Sequence, residues 1–128
     1  MVTRSKITVE FDEEKKAFSL KTPGERCIIL SDKDKLVSIS DKNGNKIEFS
    51  DNGIEITSPK DISISSKAGI KVDAAKDIAI ASKAGNIKAD GTNVELKAKA
   101  SLTAKGTASA EVSASGTTTI KGAMVMIN

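Results

Sequence analysis

The side chains most often used for catalysis are scarce in this sequence. It contains no histidine, which removes the commonest general base and the usual transition-metal ligand. Its one cysteine, Cys27, has no partner for a disulfide within the chain. A thiolate metal site would need three chains to meet there. Set in the apolar run CIIL, Cys27 reads as a small buried hydrophobe. Asp41, Asn43 and Asn45 are spaced like the opening of a calcium loop. Lys46 stands where that loop needs glycine and Asn52 where it needs a bidentate glutamate, so the stretch reads as a plain turn. The glycines fall at turns and corners and form no phosphate-cradling motif. The sequence therefore offers no catalytic, cofactor-binding or metal-binding residue, and the chain is read as a non-enzyme that needs no cofactor.

Composition points to an unusual interior. The 128 residues are enough for one ordinary domain and 38% are hydrophobic, yet only three are aromatic, all phenylalanine. Ile, Val, Leu, Met and Ala must fill any core, and the bulky ones thin out toward the C-terminus, so a compact monomer would be poorly filled. Residues 53–128 carry ten lysines against seven carboxylates. Lysines spaced along a repeat read as a solvated surface, and without aromatics to stack bases no nucleic-acid partner is expected. The N-terminal MVTRSKITVEF alternates apolar and polar residues, and no apolar run approaches the length of a membrane span, which predicts synthesis as a soluble cytoplasmic protein.

The strongest signal is a repeat of eight residues beginning at Gly53, the kind of period that decides a fold. Its second and fourth positions are Ile54 and Ile56, Ile62 and Ile64, Ile70 and Val72, Ile78 and Ile80. The register then slips by one residue to Ile87 and Ala89. It returns at Val94 and Leu96, and continues through Leu102 and Ala104, Ala110 and Val112, and Thr118 and Ile120. Apolar residues two apart share one face of an extended strand, which excludes a helix. The first position (Gly53, Asp61, Gly69, Asp77, Gly85, Asn93, Ser101, Ser109) accepts a bend or a positive φ. The sixth is nearly always small. Each octad is thus a strand of about five residues plus a corner.

Two architectures suit this pattern. A single-chain solenoid would use three octads per triangular coil, leaving about three coils with open ends and little bulk inside. Three chains winding about one axis would let every octad climb one strand spacing, about 43 Å for nine, while identical apolar triplets met on the axis. The expected fold is therefore all-β: an intertwined homotrimeric triple-stranded β-helix. Its trimer core would be Ile54, Ile56, Ile62, Ile64, Ile70, Val72, Ile78, Ile80, Ile87, Val94, Leu96, Leu102, Val112 and Ile120.

Residues 1–52 lack the octad but still predict strands, forming a short β-strand neck before the needle of residues 53–128. KITVEF alternates Ile7, Val9 and Phe11; AFSL and CIIL follow, separated by Asp12 to Glu14 and a turn at Thr22 to Gly24. Within LVSISDKNGNKIEF, a loop of Lys42, Asn43 and Gly44 would oppose Ile39 to Ile47 and Val37 to Phe49, with Gly44 left-handed. The rival reading is a long corner over 37–47.

The order of these features, and most tellingly DKNGNKIEFSDNGIEI and the closing KGAMVMIN, resembles the spike proteins of contractile injection machines. These are the valine-glycine-repeat (VgrG) proteins of type VI secretion, phage baseplate spikes and their relatives in extracellular injection particles. The resemblance covers essentially the whole chain. It implies an intertwined homotrimer on a baseplate or tube, driven through a target membrane and so delivered outside the cell or into a target cell. Spikes with their own sharp point hold iron through a His-x-His pair, which this chain lacks. The other branch ends in a blunt platform that receives a Pro-Ala-Ala-Arg-repeat (PAAR) tip protein or effector. By that resemblance, Gly122, Ala123, Met124, Val125, Met126, Ile127 and Asn128 form the tip-protein platform; the rival reading has Met124 and Met126 closing the bottom of the core. Family members carry a head and a barrel before this region, so the chain is expected to be a fragment. The alternative function is a trimeric fibre or adhesin stalk binding surface glycans, which would favour exposed aromatics.

Overall fold

The computed structural model describes residues 1–127. They are all-β, with no helix among the described residues. The chain divides into two compact units, Met1–Asp73 and Ala74–Asn128.

The first unit is built on an open, six-stranded antiparallel sheet in simple sequence order: β1 (Thr8–Asp12), β2 (Ala17–Lys21), β3 (Cys27–Ser31), β4 (Leu36–Ser40), β5 (Lys46–Ser50) and β6 (Gly53–Thr57). Every strand has five residues. The strands of the neck and the first five residues of the first octad lie in this same sheet. Val37 stands opposite Phe49 and Ile39 opposite Ile47, and Gly44 is left-handed with φ 86°. The stretch is a hairpin, as its three-residue loop predicts, and not a corner.

The turns show how the sequence reverses the chain five times in fifty residues. Asp41 N–H donates to the Asn45 carbonyl and Gly44 N–H to the Asp41 carbonyl. Thr22 to Arg26 and Thr3 to Ile7 repeat both bonds. In each loop the opening side chain accepts the backbone N–H four residues on: Thr3 from Ile7 at 3.0 Å, Thr22 from Arg26 at 3.3 Å, Asp41 from Asn45 at 3.1 Å. The fourth residue, Lys6, Glu25 or Gly44, is left-handed. These loops begin nineteen residues apart. The opposite turns share that spacing, since left-handed Lys16 and Lys35 follow Asp12 and Ser31, whose side chains accept the N–H of Lys15 and Asp34. A repeat of nineteen residues thus underlies the sheet, with the last turn shortened to Asp51–Asn52 before left-handed Gly53.

From Ser58 onward no strand is formed among the described residues, but the octad is visible in the backbone. Bends fall at 59–60, 67–68, 75–76, 83–85, 91–92, 99–100, 107–108, 115–116 and 123. They occupy the seventh and eighth positions of the octad, one step before the first position expected from the glycines. Of the first-position residues only Gly53 takes a positive φ. Where the small sixth residue is serine it can fasten the bend: Ser58, Ser66 and Ser82 accept N–H groups of Lys60, Ala68 and Gly85, each at 3.1 Å. The register slip also has a physical form. The bend at 83–85 takes one extra residue and the next extended piece, 86–90, is one shorter, which returns Val94 to phase.

Candidate functional site

Strict alternation along five-residue strands sorts the sheet's side chains into two unlike faces. One face is wholly apolar. Val9, Leu20, Ile28, Ile39, Ile47 and Ile56 are cross-strand neighbours in one row, and Phe11, Phe18, Leu30, Val37, Phe49 and Ile54 in a second. Phe11 and Phe18 add a tilted ring pair with centroids 5.3 Å apart.

The other face is mostly small and charged, with Ile29 and Leu36 its large apolar side chains. Ser31 donates to Asp34 Oδ2 at 2.9 Å, Lys46 pairs with Glu48 at 2.9 Å, and Thr57 donates to Glu55 at 2.9 Å. The hydrogen bond and charge of Glu48 hold the Lys46 ammonium above its usual range. Among the described residues, Cys27, Ser31 and Ser38 on this face are the buried ones, so Cys27 is buried as expected but among polar neighbours, opposite Lys21 and Ser40.

Burial is therefore inverted relative to a self-sufficient sheet. Ile28, Leu30, Val37, Ile39, Ile47 and Phe49, at the centre of the apolar face, remain 36–49% exposed, and Phe11 and Ile54 at its edges 73% and 68%. Isolated exposed hydrophobes are ordinary, but nine exposed side chains, with half-buried Val9, Phe18 and Leu20 completing two unbroken rows, form a patch of the kind that marks an interface.

The octads carry the same feature onward. Of the residues assigned to the trimer core, Ile54 and Ile56 are brought beside Phe49 and Ile47 by the sheet. The remainder stand exposed, the second-position residues less so (Ile62 54%, Ile70 56%, Ile78 53%) than the fourth (Ile64 74%, Val72 72%, Ile80 75%). Ile87, Val94, Leu96, Leu102, Val112 and Ile120 are likewise exposed. At the proposed platform Gly122 and Ala123 are exposed, as are Met124, Val125, Met126 and Ile127; Asn128 lies outside the described residues.

Asp41, whose spacing suggested a cation loop, spends its carboxylate on its own turn. It accepts the backbone N–H of Asn43 and Asn45 at 2.9 and 3.1 Å and their side-chain amides at 3.3 and 3.0 Å. These bonds, the Asn45 amide foremost, hold its carboxyl below the usual range. No group of three or more metal-ligating side chains occurs among the described residues.

The apolar face was only partly legible beforehand. Alternation marked Val9, Phe11, Val37, Ile39, Ile47 and Phe49, but assigning Leu20, Ile28 and Leu30 to the same face needed the nineteen-residue repeat of turns, which sets the register of β2 and β3. Compared with known proteins, the chain matches no family model and no curated protein.

Proposed function

We propose that the chain is one third of a homotrimeric, non-enzymatic piercing spike of a contractile injection machine. The single observation that carries this reading is the uncovered apolar surface, continuous in sequence from the two rows of the sheet into the paired Ile and Val positions of the octads. Two further copies would cover it with identical side chains. They would also supply ladder partners to the extended pieces after Ser58, which have no backbone partner among the described residues. Backbone groups so placed need either water or neighbouring strands, and a neighbouring strand adds apolar burial as well.

Such an assembly suits mechanical work. Bending it would break main-chain bonds on three sides together, so a thrust delivered at one end reaches the other with little loss. The C-terminal end, Met124 to Ile127, would lead and hold a PAAR-type tip protein or effector, since three copies of this segment would otherwise leave an apolar patch in water. In this reading the protein is made in the cytoplasm, assembled on the baseplate or tube, and carried through the target-cell membrane.

Light scattering tests the assembly directly. The expected mass is three chains, resistant to detergent, and a monomeric mass ends the proposal. A pull-down of a candidate tip protein, retained by the full chain and lost when residues 122–128 are removed, tests the platform. Binding of surface glycans without tip-protein capture would favour a fibre stalk instead.

A further inference from the structure

The chain's formal charge of +3 is not spread along it. Residues 1–96 hold sixteen basic and sixteen acidic side chains, whereas residues 97–127 hold Lys97, Lys99, Lys105 and Lys121 against Glu111 alone. The change also occurs at one register position. The fifth residue of successive octads, on the side of the strand opposite the apolar pair, is Thr57, Ser65, Asp73, Ala81 and, after the slip, Asp90. It then becomes Lys97, Lys105, Ser113 and Lys121. Upstream, Asp73 at this position pairs with Lys71 at 3.6 Å, so charge there is locally neutralised. Downstream Lys97 has Glu95 at 2.7 Å, while Lys105 and Lys121 have no ion-pair partner among the described residues and are exposed.

We propose that residues 97–127 form an electrostatic contact surface for an anionic lipid bilayer, with Lys105 and Lys121 meeting lipid phosphates and Lys97, at the same register position, exchanging its Glu95 partner for them. The proposal rests on the spike reading in one respect: trimerisation would triple the local charge and place equivalent lysines around the advancing end. Each lysine held near an anionic surface strengthens binding roughly fivefold at moderate salt, and the effect is screened beyond a Debye length. Nucleic acid offers phosphates too, but no aromatic residue follows Phe49 to stack bases, which favours the lipid. The surface would draw the leading end onto the envelope before force is applied.

The test is sedimentation of the full chain with vesicles rich in phosphatidylglycerol and with purely zwitterionic phosphatidylcholine vesicles, at low and high salt, with light scattering on the same samples. The expected result is low-salt binding to the anionic vesicles alone, weakened at least tenfold in K97Q/K105Q/K121Q. K67Q/K76Q/K83Q, which removes the same charge from earlier octads, should bind like wild type. Equal loss in both variants, equal binding to zwitterionic vesicles, or tighter binding to duplex DNA than to anionic vesicles would overturn the proposal. A trimer that ignores anionic vesicles defeats this inference and leaves the spike reading standing. A monomer that binds them through Lys97, Lys105 and Lys121 does the reverse.

Discussion

Residues 8–57 and residues 58–127 use extended pieces of nearly equal length, five residues per strand against five or six between bends, yet only the first set finds backbone partners in its own chain. The difference lies in the connections. Each reversal in the sheet contains or ends in one left-handed residue, Lys16, Glu25, Lys35, Gly44 and Gly53, and beyond Gly53 none occurs among the described residues. A left-handed residue lets a short loop turn a strand back on its predecessor with matching twist. Octad bends lack it, so successive pieces do not fold back into antiparallel ladders. Small changes in turn chemistry thus separate a region that pairs with itself from one whose extended pieces find no partner in their own chain.

The largest expected effect comes from attacking the part without internal partners. Ile62→Asp combined with Ile78→Asp would place three copies of each carboxylate on the proposed axis. Buried unpaired charge and lost apolar packing together exceed about 4 kcal/mol per site, so light scattering should report loss of the trimer. Persistence of the trimer would mean that the octads owe nothing to their apolar pairs. Gly44→Ala tests the self-pairing part. Its φ of 86° is strained for alanine by about 1–2 kcal/mol, and the expected outcome is a lower thermal midpoint without change of oligomeric state.

The converse substitution sharpens the comparison at a smaller scale. Glu25 occupies the same loop position as Gly44 with φ 57°, and glycine there relieves the strain, so E25G is expected to stabilise by about 0.5–1 kcal/mol in a denaturant titration. An unchanged midpoint would show that these loops do not limit the sheet. The smallest effect is that of pH. The Asp41 carboxyl is held below its ordinary value, so its contribution is present above the ordinary carboxylate range and is lost as pH falls through the lower native value. Lys46 is held above its ordinary value, so its contribution is complete below that value and is lost as pH rises through the higher native one. Titration followed by amide exchange should show the Asp41–Asn45 loop loosening only on strong acidification, an effect absent in D41N.

Much of this was legible in residue types. The hairpin over 37–49 followed from a three-residue loop ending in glycine, because that loop length leaves a single register in which apolar residues face each other. The octad followed from paired Ile and Val positions, and the backbone bends keep its period. The corners fall one step earlier than glycine and aspartate at the first position suggest, and in three octads a sixth-position serine fastens the bend there. The nineteen-residue repeat is hidden in the sequence because its loops, TRSKI, TPGER and DKNGN, share only an opening hydroxyl or carboxylate. Lysine and glutamate in left-handed positions carry no sequence signal of that conformation. The uncovered apolar face was visible only once the register of β2 and β3 was known.

The extra residue held in the bend at 83–85 and returned in the shortened piece 86–90 has a further implication for how such a molecule can grow. Excising a whole unit between bends, such as 69–76, leaves every remaining side chain pointing as before, whereas removing seven or nine residues inverts all that follows unless a neighbouring segment compensates. Length is therefore adjustable in discrete steps, and Gly85 marks where one miscounted step was repaired.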